Sequence, residues 1–188
     1  FSYQTLAKAD DIRDFEIEGI SVGDSLLDYM SREEILEELK VNSWMYKNAI
    51  PINKFGEVYL FKNLDLYNSI SFFVKKDDPN YRIYMIRGMI EYIESLNKCF
   101  EKKSEIVKDI EKTFNNFNKT ENSWKKDYDP SGKSYTYQTK FNFENGSSVN
   151  IQCENWEESL RIEKNWTEGI NVAIQTKEFF EWIVTNGK

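Results

Sequence analysis

The side chains best suited to chemistry in this chain are hard oxygen donors and carboxylates. Asp127-Tyr128-Asp129-Pro130-Ser131-Gly132 follows D-x-D-x-S-G, the first half of a calcium loop. Alternating oxygen ligands with a glycine at the sharp turn suit Ca2+. Asp127, Asp129 and Ser131 are the candidate ligands. The position that would carry the bidentate glutamate is Gln138. The competing reading is a Pro-Ser-Gly turn that leads into a strand.

Carboxylates cluster as Asp10, Asp11 and Asp14; as Glu33, Glu34, Glu37 and Glu38; and as Glu157 and Glu158. A hydrolase of the two-carboxylate type needs acids that face each other across a cleft. Neighbours in sequence do not supply that. On a helix Glu34 and Glu38 share the solvent side, opposite Ile35, Leu36 and Leu39, so a solvated surface accounts for them.

Trp124, Trp156 and Trp166 sit in polar surroundings near loops and strand ends. Exposed tryptophan marks sugar- or protein-binding faces, and these three are the candidate ligand contacts. A tryptophan that plugs the end of a sheet core gives the same pattern. The sequons at Asn118, Asn145 and Asn165 follow from an asparagine-rich composition.

Other chemistry is excluded by residue type. The chain has no histidine. That removes Ser-His-Asp and Cys-His catalysis, H-E-x-x-H metal sites and the usual proton carrier near neutral pH. Two cysteines without histidine do not make a tetrahedral zinc site. Neither G-x-G-x-x-G nor G-x-x-x-x-G-K-[ST] occurs. The net charge of -7 comes without a basic face, so no nucleic-acid partner is expected. No apolar run approaches the roughly 20 residues that span a bilayer. A chain that starts at Phe1 fits either a removed leader or a trimmed terminus.

The 188 residues are expected to form a lead-in over 1–14 and one domain over 15–188. The heavy load of 13 Phe, 11 Tyr and 5 Trp supplies its core. Phe15, Ile17, Ile20 and Val22 predict a short strand over 15–23, followed by Asp24-Ser25 as an N-cap pair. Residues 26–29 read as a helical turn. Ser31 to Glu34 is a capping box that opens a helix over 32–40. An irregular connection follows over 41–56. Strands are expected over 57–62, 69–75 and 81–92, with Gly88 as a bulge or bend.

From 95 to 117 the period becomes helical. Leu96, Cys99, Phe100, Ile106, Val107, Ile110, Phe114 and Phe117 share one face. A polar loop follows. Period two returns over 133–143 and 147–154, two strands of a hairpin. Parity chooses the turn. A three-residue loop, Glu144-Asn145-Gly146, pairs Phe141 with Val149, Thr139 with Ile151 and Tyr137 with Cys153. A two-residue loop would set Phe141 against Asn150. A last strand around 170–175 leads into a C-terminal helix capped by Thr176, with Phe179, Phe180 and Ile183 inward.

Cys99 lies on the apolar face of the long helix and Cys153 on that of the hairpin. Both point into one core if the helix packs on the sheet. A disulfide and two buried thiols both satisfy that geometry.

The stretch Ile17-Glu18-Gly19-Ile20-Ser21-Val22-Gly23-Asp24-Ser25-Leu26-Leu27-Asp28-Tyr29 resembles the opening of a set of small uncharacterised proteins from Pelagibacter-type marine bacteria. The resemblance continues in Tyr81 to Gly88, in Cys99 with its charged helix, and in Cys153-Glu154-Asn155-Trp156. It implies an exported protein with paired cysteines and carries over no catalytic residue. Gly19 to Ser25 before a helix is also similar to the entry of the assembly lipoprotein BamE and of β-lactamase inhibitor protein. In that entry Met-Thr is usual where Asp24-Ser25 stands here. Those are binding modules of helices on an antiparallel sheet.

The expected fold is therefore α+β. It has a mostly antiparallel sheet of about six strands, one long helix on a face, a short N-terminal helical pair and a C-terminal helix. The expected role is a non-catalytic, periplasmic or secreted protein that binds a protein or an envelope component, without a cofactor unless calcium. A carbohydrate- or small-ligand-binding protein is the alternative, and a carboxylate-based hydrolase is the third reading.

Overall fold

The computed structural model describes residues 12–42, 54–93 and 95–186. They form an α+β structure around one seven-stranded antiparallel sheet with spatial order β1-β2-β3-β7-β6-β5-β4. The strands are β1 Phe55–Leu60, β2 Ser69–Lys75, β3 Ile83–Glu91, β4 Phe117–Lys125, β5 Tyr135–Phe143, β6 Ser148–Asn155 and β7 Gly169–Gln175. The described helices are α1 Arg32–Val41, α2 Leu96–Thr113, α3 Glu158–Lys164 and α4 Lys177–Asn186.

Two meanders, β1-β2-β3 and β6-β5-β4, are joined by β7, which pairs with β3 on one side and β6 on the other. The β5–β6 register matches the parity argument: Phe141 pairs with Val149, Thr139 with Ile151 and Tyr137 with Cys153. Gly146 has φ of 83°, the left-handed position that the three-residue loop requires.

The main core lies on one face of the sheet. Phe72, Ile86, Phe141, Val149, Ile151, Val172 and Ile174 are buried there beneath α2 and the N-terminal segment. A second cluster lies on the opposite face, where α4 lays Phe179 and Trp182 over Phe55, Phe73 and Met85. Trp182 thus joins Phe179 as an inward anchor of α4, while Phe180 and Ile183 are half-buried. The Thr176 hydroxyl accepts from Phe179 N at 3.3 Å and caps that helix.

Cys99 and Cys153 form a disulfide with Cα atoms 5.9 Å apart, which ties α2 to β6. The capping box at the start of α1 is present. Ser31 Oγ accepts from Glu34 N at 3.3 Å, and Glu34 Oε2 accepts from Ser31 N at 2.9 Å.

Several expectations are corrected. Residues 15–23 are not a strand. Glu18 and Gly19 have φ of 53° and 73°, so the chain reverses between Ile17 and Ile20, which exchange two backbone hydrogen bonds of 3.0 Å. Alternating apolar residues reach the core here from a tight turn. The Asp24-Ser25 pair does not cap: Asp24 Oδ2 accepts from Ser21 N, and Ser25 Oγ donates to Asn80 O.

Gly88 is not a bulge. The register shift falls between Phe73 and Val74 of β2, while the Tyr67 ring lies 2.4 Å from where a Cβ on Gly88 would be. The long helix stops at Thr113, Asn116 turns left-handed at φ 56°, and Phe117 opens an edge strand. That strand, β4, is exposed along nearly its whole length, so it carries no apolar alternation to read. The lead-in expected over 1–14 joins the packed body at Ile12, which is 5% exposed. Residues 1–11, and positions 43–53 of the connection expected over 41–56, lie outside the described residues.

Two outcomes follow for stability. Reduction of Cys99–Cys153, or Cys99→Ser with Cys153→Ser, is expected to cost about 4 kcal/mol in a urea titration, because the bridge closes a separation of 54 residues. Gly169 sits at φ 148° with its missing Cβ 2.0 Å from Ile90 O. Gly169→Ala is expected to cost at least ~2 kcal/mol by the same measurement, because β7 can no longer approach β3.

Candidate functional site

The loop that resembles a calcium site is built around Asp129 as a brace. Its Oδ1 accepts from Ser131 N at 2.8 Å, and its Oδ2 accepts from Lys133 N at 3.0 Å and Ser134 N at 2.7 Å. Three backbone donors therefore converge on this carboxylate. Asp127 and Ser131 are exposed. Among the described residues no three Asp, Glu or Cys side chains gather as metal ligands. The loop is a turn in which an acid satisfies its own backbone.

The structure brings together two of the three tryptophans. Trp156 and Trp166 have ring centroids 4.5 Å apart, and Tyr128 leans on both at 5.7 and 5.5 Å. Trp156 Nε1 donates to Thr167 O at 3.1 Å, and Lys126 Nζ lies 4.3 Å from the Trp156 ring centroid. Lys126 is ion-paired to Glu154, which also accepts from Thr136 Oγ1 at 2.9 Å. Trp156 and Trp166 are half-buried, and Tyr128 is 57% exposed. Trp124 stands apart on β4, 41% exposed, with no ring contact to the other two.

Beside Trp124 is a feature that composition alone did not single out. On the face opposite the main core, Asn171 pairs with Gln152, Gln152 with Gln138, and Gln138 with Asn122. This row of carboxamides crosses four strands at about 4.8 Å per strand. The side-chain amides of Asn122, Gln152 and Asn171 make no hydrogen bond to any described residue. The polar half of the period-two pattern contained Gln138 and Gln152. Only the strand order places them beside Asn171 and Asn122.

A groove of about 330 Å³ runs between α1 and the end of β1. Its apolar side is Met30, Tyr59, Leu60 and Phe61, and its polar side is Glu34, Glu37, Glu38 and Lys62. Tyr59 and Phe61 stack in parallel, 5.8 Å apart at 6°. Phe61 is 68% exposed, and Leu36, Val41 and Leu66 are exposed apolar residues in the same half of the chain. Glu38 Oε2 accepts from Tyr59 N at 3.1 Å, and Asn42 Nδ2 donates to Glu57 O at 3.4 Å. The α1 side chains thus cover the open edge of β1, as exposed edges require. Lys62, hydrogen-bonded to Glu34, holds that carboxyl down at about 2. Burial, with the Glu57 charge next, pushes the Tyr59 phenol up to about 12.

Comparison with protein-family models, with curated proteins and with solved structures returns no match.

The carboxylates speak to the hydrolase reading. Glu57 is buried and paired to Arg87 at 2.8 Å, and neither its second oxygen nor the buried Ser71 hydroxyl has a hydrogen-bond partner among the described residues. The described acids that are clearly displaced from the ordinary range are Glu18, Glu34, Asp129, Glu157 and Glu178, and all move down.

Asp129 gives a pH dependence. Burial acts to raise its carboxyl, but hydrogen bonds from Ser131 and Ser134 outweigh that and hold it well below the usual range. A depressed acid stabilises fully above the unfolded value near ~3.9 and loses that contribution as pH falls through the folded value. Asp129→Asn is expected to lower the urea midpoint at pH 6 and to flatten its decline between pH 6 and pH 3. An unchanged decline would show that the brace does not carry charge.

Proposed function

We propose that this chain is a non-catalytic, extracytoplasmic binding protein that takes an apolar, positively charged segment of a partner protein in the groove between α1 and β1. One observation carries this reading. Phe61 is exposed and stacked on Tyr59, directly beside three glutamates that face a single lysine. An exposed aromatic anchor beside a charged rim is the usual composition of a protein-binding hot spot. The Cys99–Cys153 bridge supports a location outside the reducing cytosol. Among the described residues no helix is long and apolar enough to cross a membrane. The likeness to exported proteins of marine bacteria points the same way.

The carboxamide row with Trp124 favours a second reading, a hydroxyl-rich polymer lying across β7, β6, β5 and β4. Amide side chains donate and accept together, which suits vicinal hydroxyls.

The two readings separate by NMR titration of labelled protein with a short leucine–lysine amphipathic peptide and with a soluble glucan oligosaccharide. The peptide is expected to shift Met30, Tyr59 and Phe61, more weakly as salt is raised. Phe61→Ala and Glu37→Lys are each expected to weaken it about tenfold, ~1.4 kcal/mol, without loss of stability. Shifts confined to Asn122, Gln138, Gln152 and Asn171 with the glucan would transfer the function to the sheet face. A peptide that binds equally well after both substitutions would sink the groove.

A further inference from the structure

The sheet ends in two edges, and the fold treats them differently. The edge at β1 is covered by α1, whose Glu38 and Asn42 side chains reach the β1 backbone. The edge at β4 is open. Asn118 to Lys125 are all exposed, on both faces of the strand. Outside its ladder with β5, the β4 backbone has one partner among the described residues: Asn142 Nδ2 donates to Asn118 O at 3.5 Å.

Edges are usually kept from pairing by shortness, a bulge or a proline. β4 runs for 9 residues, Phe-Asn-Lys-Thr-Glu-Asn-Ser-Trp-Lys, without proline, and its register to β5 is unbroken from Phe117 to Lys125. What it carries is charge. Lys119, Glu121 and Lys125 lie on the side of the main core, opposite Phe141, Thr139 and Tyr135. Charge defends an edge when it meets like charge across the gap. Here Lys119 and Glu121 have opposite signs two positions apart. Glu121 is loosely engaged, 3.8 Å from Lys119 with its side chain 65% exposed.

Parity limits how a second copy could add to this edge. A two-fold axis perpendicular to the sheet keeps both cores on one side, so facing positions are both odd or both even. Centring the axis on Lys119 or on Glu121 sets that charge against itself. Centring it on Asn122 sets Lys119 against Lys125. Centring it on Ser123 matches Glu121 with Lys125 but leaves only positions 121–125 in register. Centring it on Thr120 keeps 117–123 in register and sets Lys119 against Glu121 on both sides of the axis. Lys119 then lies between its own Glu111, at 2.7 Å, and Glu121 of the second copy. On the other face Asn122 meets Asn118 of the second copy, which continues the carboxamide row.

We propose that β4 is a self-pairing edge, through which two copies of this chain join antiparallel about Thr120 into one continuous sheet. Assembly stops at two, because α1 covers the remaining edge of each copy. A single strand pair buries less than a standard interface, so the dimer is weak and exchanges with monomer. The pairing is separate from the groove at α1 and stands whether or not a peptide binds there.

Sedimentation equilibrium of the intact, disulfide-bonded chain from about 5 µM to about 500 µM covers the range of such weak dimers. Monomer is expected at the bottom of that range and dimer at the top. Glu121→Lys sets lysine against Lys119, and Lys119→Glu sets glutamate against Glu121. Each variant alone is expected to associate at least about tenfold more weakly, while an equimolar mixture of the two restores the dimer, because each copy then meets opposite charge. Both are expected to keep the circular dichroism of the parent chain, since these side chains are exposed. Under mild oxidation, Thr120→Cys is expected to cross-link into dimers faster than Asn118→Cys or Asn122→Cys, because position 120 alone lies on the axis. A chain that stays monomeric at the highest concentration overturns the proposal. So does growth past the dimer, a mixture that associates no better than its components, or cross-linking of Asn122→Cys as fast as that of Thr120→Cys.

Discussion

The insertion of β7 between β3 and β6 is the interaction on which the rest of this structure depends. The β1-β2-β3 and β6-β5-β4 meanders pair with each other only through that strand. Seven paired positions on each side knit them into one sheet. Gly169 makes the entry possible, because its missing side chain lets the β7 backbone meet Ile90 and Glu91 at close range. A strand that arrives last in sequence and lands in the centre must close long loops before its pairings stabilise anything.

Both layers over the sheet follow from that arrangement. With β7 central, Ile170, Val172 and Ile174 complete the face on which α2 packs, and the Cys99–Cys153 bridge holds α2 there. The reverse face is divided. α4 leaves the end of β7 and covers the side near β1 and β2 with Phe179 and Trp182. The part over β4 to β7 keeps the carboxamide row in the open. The helix that closes one half of the sheet therefore leaves the other half free to meet a ligand.

Charge is distributed by the same topology. Glu34, Glu37 and Glu38 come from one short helix, and their acidic groove is local in sequence. A cavity at the start of β3 is lined by Arg13, Arg82 and Lys177, which come from three distant segments. The acidic groove is thus set by local sequence, while the cavity at the start of β3 is assembled by the fold.

What the amino-acid sequence determined by itself is what depends on near neighbours: the capping box at Ser31, the helical face through Cys99 and Ile110, and the three-residue turn at Glu144 to Gly146. Hydrogen bonds and side-chain parity over a few residues decide those. The disulfide was half-legible, because two periodicities put both cysteines on apolar faces, but only the packing of α2 on β6 chose a bridge over free thiols. The edge strand β4 was hidden, since a strand exposed on both faces shows no alternation. The reversal at Glu18-Gly19 was hidden because a turn can also point alternate residues inward. The carboxamide row and the cavity at the start of β3 were beyond any local reading. Their members lie tens of residues apart, and only strand order and helix placement, set by the burial of one shared core, bring them side by side.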